Sequence, residues 1–419
     1  MATFPDIMQG HGSQQAIATL IYREGPISQP ELGKRVRLSR AAVNKTISVL
    51  RDNRLVHTVG TRRPTRGRPA DVLEVDRSTN LVGVMTLDPS DSSTKASLMR
   101  MDGVGIWDRT VPHDRTIDNE SLLEVFSSAA KEMLDVATGK GLHLRAVTLV
   151  LPGGIHPVDG SLETCVHFPN IANLPVERTV RKITNCHVSS IADMQALCAG
   201  IIAAQEKPQR VAILIWGGGI TWSPASPAEP YGQMLSHWRG FGHIQVVRDG
   251  RPCYCGGRGC IEAEVGGWAL LKQLQAMQPE FADIDLPGLR EQAKAGNPVV
   301  RKVLVEAAER FGEYFHYLAQ ASNPDAILIQ SGLGLPEEIL LPAFRRGLEP
   351  WLHPSRRGTT EISVIDDFGQ AAHRGAAWLA SELFFNPKLI RRMRPVGSAS
   401  TSKRTQSIRS GVREEQQRT

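Results

Sequence analysis

The chain has 419 residues, of which 41% are hydrophobic and 22% are charged, a composition typical of a globular protein with two or three domains. It lacks the run of about 18 uncharged apolar residues that a transmembrane helix needs. Its first residues also lack the basic and apolar segments of a signal peptide. We therefore expect a cytoplasmic protein that has no contact with a membrane.

The net charge of +6 hides an uneven distribution. Residues 1–80 carry 13 Lys and Arg against 7 Asp and Glu, and residues 386–419 carry 9 against 2. The intervening residues 81–385 carry 27 against 34. Basic ends around an acidic body indicate a polyanion-binding module joined to another domain. The last segment alone is weaker evidence, because Ser-, Gln- and Arg-rich ends are commonly disordered.

The first 57 residues contain three helical patterns. Ser13–Arg23 has apolar residues at helical spacing, and a Gly-Pro break follows it. Ser28 is a good N-cap for a second helix that runs to about residue 37, and Glu31 completes a capping box with it. Ser39 can cap a third helix, Arg40–Asn53, with one apolar face. Two short helices joined by a tight turn are typical of a helix-turn-helix.

We predict that residues 1–78 form a winged helix-turn-helix domain that binds double-stranded DNA. The start of its recognition helix would meet base edges in the major groove, where Arg suits guanine and Asn suits adenine. Two short strands, Leu55–Val56 and Val72–Val75, enclose an arginine-rich loop that would touch phosphate or the minor groove. The candidate DNA-binding residues are Ser39, Arg40, Asn44, Lys45, Arg62, Arg63, Arg66 and Arg68. The alternative is a three-helix interaction domain whose basic face is merely solvated.

Residues 79–385 alternate between strand and helix patterns, which predicts an α/β domain with a largely parallel sheet. The predicted strands are Leu81–Leu87, Ala96–Met101, Arg145–Leu151, Val188–Ile191, Val211–Trp216 and Ala326–Gln330. The predicted helices are Ser121–Thr138, Asp193–Ala204 and Val299–Ser322.

A cluster of metal-ligand residues interrupts this pattern. His243, Cys253, Cys255 and Cys260 offer one imidazole and three thiolates, a set that closes a tetrahedral Zn²⁺ site. Four protein ligands leave no open position, so we expect a structural rather than a catalytic zinc. The alternative is that these are ordinary core cysteines. The other three, Cys165, Cys186 and Cys198, stand alone in apolar surroundings and fit that description better.

The run from Gly242 to Glu262 resembles the signature of the ROK family (repressors, open reading frames and sugar kinases), which is close to G-H-x-x-V-x-x-x-G-x-x-C-x-C-G-x-x-G-C-L-E. Further similar stretches are Gly67-Arg68-Pro69, Leu151-Pro152-Gly153, Asn323-Pro324-Asp325-Ala326 and Gly375-Ala376-Ala377. The head is similar to that of the xylose-repressor and N-acetylglucosamine-repressor branch.

The resemblance implies an actin-like, ribonuclease H-like body with two lobes, roughly 79–196 and 197–385, and a sugar cleft between them. It also implies a structural zinc at the four ligands. Residues 386–419 remain as a basic, disordered tail.

The sequence departs from the family's kinases where they hold ATP. The turn Asp88-Pro89-Ser90-Asp91 has no glycine, lacks one N–H donor at its proline, and carries two carboxylates that would repel a triphosphate. The glycines at 217–219 are equally well explained by a tight turn. We therefore assign no catalytic residue.

The sugar cleft is also incomplete. Asp193 matches the catalytic base of the kinases, but Ala192 replaces the preceding asparagine, and Gly240 replaces a hydroxyl-binding glutamate. Asp193, His243 and Glu262 remain as candidates to bind sugar hydroxyls. The alternatives are that Asp193 merely favours a helix N-terminus and that Glu262 merely starts a helix.

The sequence thus predicts a transcriptional regulator of the repressor type that senses a sugar or sugar derivative. A homodimer or homotetramer would place two recognition helices on a roughly palindromic operator. The competing hypothesis is an ATP-dependent sugar kinase that retains a DNA-binding head. A third is a DNA-binding protein that needs no ligand.

Overall fold

The computed structural model describes residues 12–62, 69–165, 167–231, 238–365 and 367–394. The helices are α1 Gly12–Glu24, α2 Gln29–Val36, α3 Arg40–Asp52, α4 Asn119–Gly139, α5 Val176–Thr184, α6 Asp193–Ala203, α7 Ile261–Val265, α8 Gly267–Met277, α9 Leu286–Ala295, α10 Pro298–Ser322, α11 Glu337–Leu348, α12 Phe368–Phe385 and α13 Ile390–Met393. The strands are β1 Ile27–Ser28, β2 Val56–Arg62, β3 Ala70–Val75, β4 Asn80–Asp88, β5 Ser93–Arg100, β6 Gly105–Pro112, β7 His143–Leu151, β8 Gly154–Ile155, β9 Leu162–Thr164, β10 Ala172–Leu174, β11 His187–Ala192, β12 Val211–Trp216, β13 Ile220–Ala225, β14 Ala326–Ser331 and β15 Glu361–Val364.

The head folds as three helices and a small antiparallel sheet with the order β1-β3-β2. Glu31 accepts hydrogen bonds from the backbone N–H of Ser28 at 3.1 Å and from its hydroxyl at 2.6 Å, which confirms the predicted start of α2. The hydroxyl of Ser39 accepts from the N–H of Ala42 at 3.3 Å and caps α3. The two wing strands are longer than predicted, because β2 and β3 pair from Val56 to Arg62.

The first lobe is built on a five-stranded sheet with the order β11-β7-β4-β5-β6. Strands β11, β7 and β4 are parallel, whereas β4, β5 and β6 form an antiparallel meander. Every residue of β7 from Ala146 onward is buried, as expected for a strand covered on both faces. The edge strand β6 alternates between exposed and partly buried positions. A separate small sheet, β10-β9-β8, lies after β7.

The second lobe is built on a four-stranded sheet with the order β13-β12-β14-β15. Strand β12 begins and ends where the sequence predicted, and it pairs in parallel with β14. The longest helix, α10, spans 25 residues and buries one apolar face. Together the two lobes and the small head form the α/β fold that the strand and helix patterns predicted.

The last long helix, α12, returns to the first lobe and packs on β4, β7 and α6. A Cβ atom at Gly200 would lie 1.8 Å from the carbonyl oxygen of Ala371, and one at Gly375 would lie 1.8 Å from that of Ala196. Only glycine allows two helices to approach so closely. The second lobe that the sequence assigned to residues 197–385 is therefore not a continuous unit, because its final helix packs on the first lobe.

The head docks on the carboxyl end of α12. The rings of Tyr22 and Phe385 stack with centroids 4.3 Å apart, and Arg23 forms an ion pair with Glu382 at 3.1 Å. The hydroxyl of Thr19 donates to the carbonyl of Phe385 at 2.6 Å. The buried residues of the head and those of α6 and α12 belong to one apolar cluster. The head is thus packed on the body rather than tethered to it.

The chain remains ordered for nine residues beyond α12. Arg394 is only 7% exposed, forms an ion pair with Glu177 at 2.5 Å, and donates to the carbonyl of Ser190 at 2.9 Å. The expectation of disorder from residue 386 is therefore wrong as far as Arg394, since this buried pair fixes the segment. Residues 395–419 lie outside the described residues. Within the part of the chain that is described, no helix is long and apolar enough to cross a membrane.

The α6–α12 contact predicts a strong effect of a single methyl group. Gly375→Ala should lower the free energy of unfolding of the body by about 1–3 kcal/mol, because overpacking outweighs the helix propensity of about 1 kcal/mol that alanine gains. Urea denaturation followed by tryptophan fluorescence measures this change. Gly139→Ala is the matched control, since a Cβ atom there meets nothing within 4 Å. Equal stability of the two variants would contradict the packing described here.

Candidate functional site

The exposed face of α3 is the candidate DNA interface. Ser39, Arg40, Asn44 and Lys45 are all exposed. Among the described residues, no side-chain hydrogen bond or ion pair engages Arg40, Asn44 or Lys45. The first two turns of α3 thus present two cations and one amide to solvent, the groups that contacts with base edges and phosphates use.

The wing contributes one described candidate. Arg62 is exposed at the end of β2 and forms an ion pair with Glu31 at 2.7 Å. Exposed pairs of this kind contribute little stability, so Arg62 is readily available to a phosphate. Arg51 pairs with Asp71 at 2.6 Å and holds the wing against α3. The remaining candidates of the wing, Arg63, Arg66 and Arg68, lie outside the described residues.

The predicted metal ligands converge on one point. The ligand atoms of His243, Cys253, Cys255 and Cys260 all lie within 4.8 Å of one another. Nδ1 of His243 is 3.4 Å from Sγ of Cys253, and Sγ of Cys255 is 3.7 Å from Sγ of Cys260. Tetrahedral bonds of about 2.3 Å to sulfur require sulfurs roughly 3.8 Å apart. The donor set and its spacing therefore fit a tetrahedral metal ion.

Glycines let the loop fold back on itself. Gly256 and Gly259 have φ values of +89° and +65°, which residues with a side chain rarely adopt. A Cβ atom at Gly259 would lie 1.7 Å from the carbonyl oxygen of Val247. The N–H of Cys253 donates to the carbonyl of Gly257 at 2.9 Å, so the backbone between the ligands is itself hydrogen-bonded.

Burial and the neighbouring sulfurs raise the pKa of Cys260 to about 12. Burial is also the main cause that raises the pKa of Cys253. These sulfurs therefore keep their protons at neutral pH unless a cation stabilises the thiolates. Binding of a metal ion to this loop would therefore release protons from its thiols.

Glu262 follows the last cysteine and is only 4% exposed. Its Oε1 accepts hydrogen bonds from the hydroxyl of Tyr254 at 2.5 Å and from Nε1 of Trp268 at 3.1 Å. Its Oε2 accepts from the N–H of Ile220 at 2.9 Å. Burial and the adjacent carboxylate raise the pKa of Tyr254, which keeps the phenol protonated as a donor. The sequence did not single out Tyr254 or Trp268, although Tyr254 stands inside the cysteine motif.

Asp193 lies on the first lobe, at the junction of β11 and α6. Its Oδ1 accepts from the N–H of Met194 at 2.7 Å, as expected for a carboxylate at a helix start. Desolvation and then the charge of Arg115 lower the pKa of His167, whereas Asp193 opposes the shift. His167 therefore lies within electrostatic reach of both Arg115 and Asp193. No local sequence pattern indicated His167 or Arg115.

The turn that would hold ATP phosphates is filled by its own side chains. Lys95 forms ion pairs with Asp88 at 2.7 Å and with Asp91 at 2.8 Å. The N–H of Ser90, a donor that a phosphate would need, instead donates to Asp88 at 2.8 Å. Two carboxylates face one ammonium group, so the turn carries negative charge. The engaged N–H of Ser90 and the negative charge of the turn both disfavour a triphosphate.

Comparison with known proteins gives two kinds of similarity. The chain is 22% identical to the DNA-binding transcriptional repressor Mlc of Escherichia coli over 393 residues, which cover 90% of this chain and 94% of that protein. It is 26% identical to the glucokinase of Thermotoga maritima over 326 residues, which cover 72% of this chain and 97% of the kinase. The kinase is thus matched almost whole, yet it leaves more than a quarter of this chain unmatched.

A solved structure shows the same fold. The crystal structure of a ROK family transcriptional regulator, a homologue of E. coli Mlc, superimposes with a TM-score of 0.71 and 22% sequence identity over 91% of this chain and 98% of that chain. The sequence profile of the ROK family matches residues 103–383, which is most of the body. The chain therefore belongs to the ROK family.

Proposed function

We propose that this protein is a DNA-binding transcriptional regulator of the repressor type whose body responds to a neutral sugar. The observation that carries the proposal is the unpaired set Arg40, Asn44 and Lys45 on the exposed start of α3. The similarity to the Mlc repressor over 90% of the chain supports it, because that alignment spans far more than the body alone. The fold places these side chains on a head that is packed on α12.

Two heads would be needed for tight and specific binding. A symmetric homodimer, or a homotetramer built from two such dimers, presents two copies of α3 to half-sites about one helical turn apart. The operator would then be roughly palindromic. We place the protein in the cytoplasm, where the DNA is.

The metal loop has a structural role in this proposal. His243, Cys253, Cys255 and Cys260 would bind one Zn²⁺, because three thiolates and an imidazole suit zinc and leave no open coordination position. The ion would fix the loop that carries Tyr254 and leads into α7. We assign Asp193, His243 and Glu262 to the effector cleft.

The alternative function is sugar phosphorylation, which the similarity to sugar kinases suggests for this chain. Asp193 is retained at the position of their base. In the turn, however, the N–H of Ser90 already donates to Asp88, and Asp91 adds a second carboxylate beside the single ammonium group of Lys95. The body has the fold of a sugar kinase, but its turn at Asp88 does not suit the phosphates of ATP. We therefore propose that the protein is not an enzyme.

The DNA interface can be tested with genomic fragments selected by the purified full-length protein. Lys45→Ala should weaken binding to all sequences and reduce the slope of log K against log salt by about 1, because one phosphate contact is lost. Asn44→Ala should instead reduce discrimination at one base pair, by about 5- to 150-fold. Fluorescence anisotropy over a salt series measures both effects.

The control for these variants is Lys302→Ala, which removes an exposed lysine of α10 in the body. It should bind the selected DNA as the unmodified protein does. The proposal fails if no genomic fragment is enriched, or if Lys45→Ala and Lys302→Ala behave alike.

The metal site predicts zinc at one ion per chain in the purified protein. Cys255→Ser should lose the ion and lower the unfolding temperature of the body, because one thiolate ligand is replaced by a poor one. Elemental analysis and calorimetry measure these quantities. Cys165→Ala, which changes a buried cysteine outside the loop, should keep its zinc. Stoichiometric zinc in Cys255→Ser would show that the ligand assignment is wrong.

The kinase alternative is tested by a coupled assay of ADP release with glucose, xylose and N-acetylglucosamine. We expect no turnover above the rate without sugar, because the turn at Asp88 offers no phosphate site. Sustained turnover that is abolished by Asp193→Asn would establish the enzyme and overturn the non-catalytic assignment.

A further inference from the structure

The carboxylate of Glu262 is almost fully occupied by the protein itself. A carboxylate offers about four acceptor positions, and three of them are taken by Tyr254, Trp268 and Ile220. Gly219 and Gly242 leave room for this carboxylate, since Cβ atoms there would lie 3.0 and 2.7 Å from Oε2. Both positions of Oε1 are filled, one of them by Trp268, which is only partly exposed. A ligand hydroxyl can therefore reach this oxygen only if one of its two present donors leaves.

Tyr254 is the donor that can leave. It is 61% exposed, whereas Ile220 is 6% exposed and donates from the backbone of β13. The ring of Tyr254 makes only edge-on contacts with His243 and Trp268, at centroid distances of 5.2 and 5.6 Å. Tyr254 thus reaches a buried carboxylate from an exposed position, and its hydroxyl bond to Oε1 is its main attachment.

We propose that the phenol of Tyr254 occupies the place of a ligand hydroxyl, so that Tyr254 gates Glu262 and selects the ligand that can bind there. This inference rests on the proposed sugar-responsive function and names the contact that a ligand must replace. Binding exchanges one O–H donor on Oε1 for another, and the number of hydrogen bonds to the carboxylate is conserved.

The backbone around Tyr254 allows a movement of the side chain alone. The N–H of Gly256 donates to the carbonyl of Cys253 at 3.0 Å, and the N–H of Cys253 donates to Gly257 at 2.9 Å. These bonds hold the main chain on both sides of Tyr254. The exchange therefore requires rotation of one aromatic side chain toward solvent, which occurs without rearrangement of the loop.

The exchange also defines the chemistry of the ligand. Only a hydrogen-bond donor can replace the phenol on Oε1, and an anionic group would be repelled by the buried carboxylate. Neutral polyols with a free hydroxyl at this position satisfy both conditions. Sugar acids or phosphates that present their charge to Glu262 do not.

Titration calorimetry of the full-length protein with glucose, xylose and N-acetylglucosamine tests the gate. Tyr254→Phe keeps the ring but removes the competing hydroxyl, so at least one of these sugars should bind about tenfold or more tightly than to the unmodified protein. Tyr254→Ala should show the same direction of change. Adding Glu262→Gln to Tyr254→Phe should abolish the gain, because the charged acceptor is lost.

Tyr317→Phe is the matched control, since it removes the hydroxyl of another exposed tyrosine, on α10. It should leave the affinity for each of the three sugars unchanged.

Unchanged or weaker sugar binding by Tyr254→Phe overturns the gate. A lack of sugar binding by both Tyr254 variants also overturns it, since the uncovered carboxylate then has no affinity for a polyol. DNA binding is measured separately on the same samples. If the unmodified protein does not bind DNA, the proposed function is wrong. If it binds DNA but the Tyr254 variants show no gain in sugar affinity, only the gate is wrong.

Discussion

The structure depends on one close contact between two helices. Where α6 crosses α12, Gly200 and Gly375 bring the two backbones together so tightly that no side chain fits between them. Interiors packed at this density transmit displacement instead of absorbing it. The α6–α12 pair therefore behaves as one rigid body, although its helices are separated by 164 residues of chain between Ala203 and Phe368.

This pair joins the two candidate functional regions. Helix α6 begins at Asp193, a candidate ligand residue, and α12 ends at Phe385, where the head stacks its Tyr22. A ligand that draws Asp193 toward the second lobe would tilt the platform on which the head rests. Such a displacement becomes regulation only if the ligand binds one arrangement more tightly than the other. The size of that difference in affinity would set how far the population shifts.

Local features were predictable from the sequence because their causes are local. The capping residues Ser28 and Ser39, the bounds of β12 and the convergence of the four metal ligands all follow from short-range patterns. What the sequence could not supply are pairings across long distances in the chain. Arg394 meets Glu177 across 217 residues, and this pair fixes the first nine residues of a segment that composition marks as disordered. Glu262 binds the N–H of Ile220 across 42 residues, and no motif indicates that its carboxylate is already satisfied.

Two polar positions of the body, the turn at Asp88 and the carboxylate of Glu262, are filled by the protein's own groups, but with different consequences. At the phosphate turn, a carboxylate takes the backbone N–H of Ser90, and a proline has removed another donor. The donor lost at Pro89 cannot be restored by a side-chain movement, and the two carboxylates of the turn remain unfavourable for a triphosphate. At Glu262, the occupant is the phenol of an exposed tyrosine, which in the proposed gate gives way to a ligand hydroxyl. The first filling involves the backbone and the second a single exposed side chain, so the proposed exchange at Glu262 needs a far smaller rearrangement than phosphate binding at the turn would need.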